Sequence, residues 1–238
     1  MTVIKDETKV VLNEYELLPK HLRKLWSSFN KLDRKNLSYI SIDVIIDYLS
    51  EREYSIVTPF AYRFFELIDK ELNDKVSFQE IVIALLHFCT FNRQEIIAFV
   101  FNMLDSDHDK HISKTEIFRF LMQYRHGFRV YPNNVTRAIE LAHVKRGDKI
   151  DFIEFAEISN SFCSFLVFPA FRLQSIMRER FGGFALWNYV IKKLKLRQLE
   201  ENIAQERKKT LEHTEAMRQE ALDAKRSYYE ERRNEWFA

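Results

Sequence analysis

The sequence predicts an all-α protein, and three observations support this fold class. The chain of 238 residues contains 21 Phe but only 4 Gly and 4 Pro, a composition that disfavours a turn-rich β protein. An apolar residue recurs at Ile40, Val76, Ile112 and Ile150, at intervals of 36, 36 and 38 residues, and each lies between segments of helical periodicity. The segment from Phe184 to Ala238 has neither Gly nor Pro. Together these features predict repeated helix–loop–helix units followed by a long helix.

Local signals place several of the predicted helices. The helix that precedes the first loop is predicted at Pro19–Leu32, and Pro59 is predicted to start the next entering helix, because Pro is favoured in the first turn. Asn92 followed by Glu95 three residues later predicts the cap of the third entering helix. Gly127 is predicted to end the helix that leaves the third loop.

The third loop, Asp105–Glu116, carries the most informative spacing. Oxygen-bearing side chains occupy its first, third, fifth, ninth and twelfth positions: Asp105, Asp107, Asp109, Ser113 and Glu116. Carboxylates crowded in this way repel one another unless a cation lies among them. Ca²⁺ is a hard cation that takes six to eight oxygen ligands at roughly 2.3–2.6 Å. The spacing therefore indicates a calcium loop, although Lys110 stands at the sixth position, where a left-handed turn costs a residue with a Cβ roughly 1–2 kcal/mol.

The other three loops match this spacing less well. The second loop, Asp69–Glu80, has oxygen side chains at the same five positions: Asp69, Glu71, Asn73, Ser77 and Glu80. It is predicted either to bind calcium or to be a relic that keeps its shape by hydrogen bonds. The first loop, Asp33–Val44, has Lys35 and Leu37 where ligands are needed, and the fourth, His143–Glu154, has Lys145 and Gly147. The first and fourth loops are therefore predicted to hold no calcium.

These four units resemble the EF-hand superfamily, in the four-hand, two-lobe arrangement of the calmodulin and calcineurin B type. The resemblance covers roughly residues 15–165. It implies that neighbouring hands pair at their eighth residues, Ile40 with Val76 and Ile112 with Ile150. It also implies two sets of calcium ligands, in which His111 and Lys75 contribute backbone carbonyls: Asp105, Asp107, Asp109, His111, Ser113 and Glu116 in the third hand, and Asp69, Glu71, Asn73, Lys75, Ser77 and Glu80 in the second.

The predicted organisation has five parts: an N-terminal tail at 1–14, a first EF-hand lobe at 15–90, a second lobe at 91–165, a short docking helix with a Gly-Gly break at 166–183, and a long charged helix at 184–238. Pro169 is predicted to open the short helix. That helix either docks into the groove of the preceding lobe or contacts a partner protein. The long helix shows no sustained heptad seam, so a self-sufficient coiled coil is not expected.

Composition and motifs also narrow the functional class. The net charge is +2, with both signs interspersed, so we expect no nucleic-acid partner. The most apolar runs, Ile81–Cys89 and Phe162–Phe171, are shorter than the roughly 20 residues that span a bilayer, so we expect no membrane partner. Cys89 and Cys163 lie inside these runs and are predicted to be reduced core residues of a cytoplasmic protein. No nucleophile elbow, phosphate loop or zinc spacing occurs, so we expect no enzyme.

Two functional hypotheses follow. The first is a non-enzymatic calcium-binding adaptor or structural component, with a partner helix in a lobe groove and the long helix lying on a larger assembly, such as the cytoskeleton or the axoneme of a cilium or flagellum. The alternative is a dissociable regulatory subunit, like calcineurin B, of a phosphatase or kinase. The two hypotheses differ in the importance of the long helix, which an assembly component needs and a regulatory subunit does not.

Overall fold

A computed structural model of the chain describes residues 12, 15–50, 58–66, 68–69, 74–123, 149–161 and 164–236. Most of them are helical, which confirms the all-α class. The elements, in chain order, are α1 (Pro19–Leu32), β1 (Tyr39–Ser41), α2 (Ile42–Ser50), α3 (Thr58–Glu66), β2 (Lys75–Ser77), α4 (Phe78–Thr90), α5 (Arg93–Leu104), β3 (Ile112–Ser113), α6 (Lys114–Gln123), β4 (Lys149–Ile150), α7 (Phe152–Ser161), α8 (Ser164–Arg180) and α9 (Phe184–Trp236).

The four short strands form two antiparallel pairs. Strands β1 and β2 place Ile40 opposite Val76, and strands β3 and β4 place Ile112 opposite Ile150. All four side chains are buried. Both predicted pairings are therefore confirmed, and the strand pairs join the units in two pairs, whose described helices are α1–α4 in the first and α5–α7 in the second.

The predicted starts of α1, α3 and α5 are also confirmed. Helix α1 begins at Pro19, and α3 begins at Thr58 with Pro59 next. At α5 the side chain of Asn92 accepts hydrogen bonds from the backbone N–H of Gln94 at 2.8 Å and of Glu95 at 3.1 Å. The Glu95 carboxylate in return accepts from the Asn92 N–H at 2.6 Å, which completes a capping box. The predicted helix end at Gly127 lies outside the described residues.

Aromatic side chains join the two pairs of units. The ring of Phe60 in α3 lies edge-on to Phe120 in α6, with centroids 5.5 Å apart. Phe99 in α5 contacts Phe88 at 5.1 Å and Phe64 at 6.4 Å. Edge-to-face ring pairs contribute about 0.5–1.5 kcal/mol each beyond the area that they bury. Both pairs belong to one compact unit, residues 1–190.

Helix α8 corrects the prediction made for Pro169. The helix begins at Ser164, and Pro169 lies inside it rather than at its start. A Pro at this position removes the hydrogen bond to the carbonyl of Phe165. The turns on either side are nevertheless kept helical, because Leu166, Val167 and Ala170 are buried against the rest of the unit. Burial of this size outweighs one lost backbone hydrogen bond.

Helix α8 packs on both pairs of units. It contacts α4 and α3 of the first pair and α5 and α7 of the second, and Leu173 and Met177 are fully buried there. Gln174 donates from Nε2 to the carbonyls of Phe88 at 2.7 Å and Phe91 at 2.9 Å, where α4 ends. The docked arrangement that the sequence left as one of two options is thus present in the structure, although the helix contacts both predicted lobes rather than one.

Two glycines turn the chain from α8 into α9. Gly182 and Gly183 have positive φ angles of 86° and 79°. A Cβ on Gly182 would lie 2.8 Å from Cδ1 of Leu186, so a larger residue would be both strained and crowded there. Trp187 is fully buried and donates from Nε1 to the Phe181 carbonyl at 2.7 Å. The first turns of α9 therefore belong to the compact unit.

The second unit comprises residues 191–238, and its described part, through Trp236, is the remainder of α9. The long predicted helix is confirmed through Trp236, without an interruption. Its side chains from Gln198 through Arg226 are all exposed.

No single described helix is long and apolar enough to cross a membrane. Helices α4 and α5 pass that test of length and composition only when taken together, and they are bent by 118° relative to each other. Many of their apolar side chains are buried, including Leu86 and Ile96.

We expect the Gln174→Met variant to be less stable by about 1–3 kcal/mol, because it keeps the side-chain volume but removes the hydrogen bonds that Gln174 donates to the carbonyls of Phe88 and Phe91. Urea denaturation measures the difference. Gln94→Met, at an exposed position of the same unit, is the matched control and should change stability by less than about 0.5 kcal/mol. Equal unfolding midpoints for the two variants would contradict a role for Gln174 in holding the end of α4.

Candidate metal centre

The third loop turns around the carboxylate of its first residue. Asp105 is buried, and its two oxygens accept hydrogen bonds from the backbone N–H groups of Asp109 at 3.2 Å and Lys110 at 3.0 Å. His108 and Lys110 adopt positive φ angles of 60° and 67°. The left-handed turn expected at the sixth position is therefore present in spite of the Lys side chain. The hydrogen bonds to Asp105 offset its cost of roughly 1–2 kcal/mol.

The first loop contains the same turn, and the described residues of the second loop share its hydrogen bond and its positive φ angle. Asp33 accepts from the N–H of Leu37 and of Ser38, both at 2.8 Å, and Asp69 accepts from the N–H of Asp74 at 2.7 Å. Ser38 and Asp74, the sixth residues of these loops, also have positive φ angles of 65° and 56°. The backbone donors thus hold the first loop in shape although it lacks most of the oxygen ligands of the third.

Three carboxylates of the third loop converge. One oxygen each of Asp105, Asp107 and Asp109 lies within 4.8 Å of the others. Two oxygens bound to the same Ca²⁺ at about 2.4 Å are at most about 4.8 Å apart, so this separation suits ligands that share one ion. Hard carboxylate oxygens favour Ca²⁺ or Mg²⁺ over softer transition metals. The converging residues therefore fit an alkaline-earth cation.

Glu116, the twelfth residue, does not belong to this cluster in the structure. Its Oε1 accepts from the N–H and the hydroxyl of Ser106, at 2.8 and 2.9 Å. Its Oε2 accepts from the N–H and the hydroxyl of Ser113, both at 2.8 Å. Burial raises the pKa of the Glu116 carboxyl, but the hydrogen bonds from Ser113 and Ser106 together outweigh it and lower the pKa to about 2. Ser106 is a partner that the ligand spacing did not indicate.

Asp109 is engaged by a residue of the fourth loop. Its Oδ2 pairs with the ammonium of Lys149, and its Oδ1 accepts from the N–H of His111 at 2.8 Å. The hydrogen bond from Lys149 is the main cause that lowers the pKa of Asp109, and the same hydrogen bond raises the pKa of Lys149. The sequence reasoning missed Lys149. A signal existed, because the pairing of Ile112 with Ile150 places Lys149 opposite Ser113.

The second loop is described in part. Ser77 caps α4 by accepting from the N–H of Glu80 at 3.3 Å, and Glu80 accepts from the N–H of Ser77 at 2.7 Å. Ser113 and Glu116 form the same reciprocal cap on α6. Lys75 lies in β2 with its ammonium over the Tyr39 ring, 4.9 Å from the centroid. The predicted ligands Glu71 and Asn73 lie outside the described residues, as do residues 143–148 of the fourth loop.

We expect the stability difference between the wild type and the Glu116→Gln variant to shrink as the pH falls. The folded-state pKa of about 2 lies below the ordinary value of 4.5. The ionised carboxylate therefore stabilises the fold above about pH 4.5, and this contribution is lost as the pH falls through about 2. Without divalent cations at neutral pH, the variant should be less stable by about 1–3 kcal/mol.

Urea denaturation at several pH values, with a chelator present, measures this difference. A gap that stays constant from neutral pH down to about pH 2.5 would contradict the hydrogen bonding of the ionised Glu116 carboxylate.

Comparisons with known proteins do not assign the chain to a family. No protein-family model matches it, and no curated protein is significantly similar to it. The resemblance to the EF-hand superfamily therefore rests on the spacing of the loop residues.

Proposed function

We propose that the protein is a non-enzymatic calcium-binding protein of the EF-hand type. The observation that carries this proposal is the convergence of the Asp105, Asp107 and Asp109 oxygens to within 4.8 Å of one another. The left-handed turn at Lys110 and the reciprocal cap at the end of the loop support it, since both follow from the twelve-residue spacing.

The proposed ligands of the third loop follow the family pattern: Asp105, Asp107, Asp109, the carbonyl of His111, Ser113 and Glu116. When bound, the ion would neutralise the clustered carboxylates. The second loop, from Asp69 to Glu80, is the proposed second site, because its first residue turns the backbone as Asp105 does. Lys110 predicts a modest affinity, of about 10 µM, at the weak end of the range of intracellular sensors.

We further propose that α8 is the helix that occupies the groove of the hands. Its buried face and its contacts with helices of both pairs of units support this assignment. If α8 fills the groove, a partner protein must bind to a different surface. Helix α9 is long enough to offer such a surface.

The second unit has an apolar stripe along one side of α9. At about 100° per residue, its exposed large apolar side chains fall within an arc of about 140°. They are Leu196, Leu199, Ile203, Leu211, Met217, Leu222 and Tyr229. The stripe follows a period near 3.6 rather than 3.5, which suits contact with a surface better than a two-stranded coiled coil. It supports a role as an adaptor on a larger assembly, for which a cytoskeletal or axonemal polymer is our proposal.

The alternative, a calcineurin B-like regulatory subunit, would instead use the compact unit for contact. The exposed side chains of Phe118 in α6, Ile153 in α7 and Phe168 in α8 favour this second candidate, since they offer apolar surface outside α9. Deletion of α9 distinguishes the two hypotheses, because an assembly adaptor needs this helix for contact with its partner and a regulatory subunit does not.

We expect calorimetric titration with Ca²⁺, in the presence of millimolar Mg²⁺, to show one or two sites of about 10 µM. The Glu116→Gln variant should weaken the third-loop site at least about tenfold, because it removes a bidentate carboxylate. The Glu80→Gln variant tests the second loop in the same way. Glu200→Gln, an exposed position outside the loops, is the matched control. A wild type that binds no Ca²⁺ would contradict the proposed function.

We expect deletion of residues 196–238 to abolish co-sedimentation with cytoskeletal polymers while calcium binding persists. The cut must fall after Val190, because Trp187 and Val190 are buried in the compact unit. A Leu211→Gln/Leu222→Gln double variant should weaken co-sedimentation, whereas Glu212→Gln/Asp223→Asn, on the opposite side of the helix, should not. Microtubules and actin filaments are the probes. If the full-length and shortened chains sediment equally with microtubules and also with actin filaments, a role for α9 is contradicted.

A further inference from the structure

We infer that Lys149 is a tethered cation that competes with the metal ion for Asp109 and thereby weakens calcium binding at the third loop. This inference rests on the proposed function and concerns the regulation of that same site. It identifies an affinity determinant that lies outside the twelve residues of the binding loop.

The strand pairing brings Lys149 to the third loop. Lys149 lies in β4, opposite Ser113 of β3, and its ammonium pairs with Oδ2 of Asp109. In the fourth loop Lys149 holds the seventh position, which contributes only a backbone carbonyl in the family pattern. Its side chain is therefore available to the neighbouring loop, where it reaches a proposed ligand.

The charge of Lys149 acts on more than one carboxylate. The hydrogen bond with Asp109 raises the pKa of Lys149 most, and the charges of Asp107 and Glu116 raise it further. The side chains of Lys149 and Asp109 are 52% and 32% exposed, so the pair contributes little to the stability of the fold. The ion pair instead affects the binding of a metal ion at the third loop. A divalent ion that binds Oδ2 of Asp109 must displace the Lys149 ammonium, and an ion that binds Oδ1 instead still lies near its positive charge.

The first pair of loops provides an internal comparison. Lys75 occupies the seventh position of the second loop and lies opposite Ser41, as Lys149 lies opposite Ser113. The fifth residue of the first loop is Leu37, however, and the Lys75 ammonium lies over the ring of Tyr39 instead. A lysine at this strand position therefore faces the neighbouring loop in both pairs. In the second pair that loop offers it the carboxylate of Asp109.

The test measures the calcium dissociation constant of the full-length chain by competition with a chromophoric chelator. Lys149→Met removes the charge and keeps the apolar stem, and it should bind Ca²⁺ about three- to tenfold more tightly than the wild type. Lys149→Arg keeps the charge and should stay within about twofold of the wild type. Lys208→Met, at an exposed position of α9 outside the loops, should leave the third-loop constant unchanged.

Ionic strength provides a second measurement. The ratio of dissociation constants between wild type and Lys149→Met should fall as KCl is raised, because salt screens the partly exposed charge. Lys149→Gln serves as the neutral variant if circular dichroism shows that Lys149→Met does not fold.

The outcomes separate the inference from the function on which it rests. If no variant and no wild-type protein binds Ca²⁺, the proposed function fails and the inference fails with it. If the wild type binds and a folded neutral variant binds with the same constant at low salt, calcium binding stands and the competition by Lys149 is wrong.

Discussion

The packing of α8 across both pairs of units is the contact on which the compact unit depends. Leu173 and Met177 are buried among helices of the two pairs, and Gln174 holds the carbonyls where α4 ends. Arg178 adds a hydrogen bond from Nε to the Cys89 carbonyl at 2.7 Å. Among the described residues, ring contacts such as that of Phe60 with Phe120 and the short connection between α4 and α5 also join the two pairs. With α8 they share one core, and the positions of both pairs of loops are fixed by it.

In the loops that this core holds in place, backbone hydrogen bonds oppose the repulsion between like charges. In each of the first three loops, the carboxylate of the first Asp accepts hydrogen bonds from backbone N–H groups. The turn is therefore stabilised without a bound ion. The third loop adds Asp107 and Asp109 near Asp105, and these like charges raise the free energy of the apo state. Lys149 relieves part of this repulsion at Asp109. An interaction that stabilises the carboxylates in the ion-free protein lowers the free energy of that state. It therefore reduces the free energy released when the ion binds, and so weakens the affinity for calcium.

Much of the fold could be predicted from the sequence, because its signals are local or periodic. The eighth residues recur at a fixed interval, so the pairing of Ile112 with Ile150 follows from the repeat, and Asn92 with Glu95 forms the predicted cap. The position of Pro169 inside α8 could not be predicted in this way. It depends on the burial of the surrounding turns against helices that are distant in the chain.

The site was predictable to a similar extent. The clustering of the three Asp residues follows from their spacing in one loop. The engagement of Glu116 by Ser106 and of Asp109 by Lys149 depends on side chains that a ligand pattern does not include. The ligand spacing identifies the side chains that are able to bind an ion. It does not identify the hydrogen-bond partners that these side chains have in the ion-free protein.

The binding free energy of the proposed calcium site and the packing free energy of α8 together favour a structural role for the ion over a switch that releases α8. A site with a dissociation constant of about 10 µM contributes about 1.4 kcal/mol at about 100 µM free Ca²⁺. Exposing Leu173 and Met177 alone would cost about 1.5–3 kcal/mol for each side chain. The hydrogen bonds from Gln174 and Arg178 would be lost in addition. Because a ligand shifts an equilibrium only by its differential affinity for the two states, one such site cannot expel α8 from the core. Calcium at the proposed site would therefore stiffen the third loop within a core that stays closed, and α9 would present its apolar stripe whether or not the ion is bound.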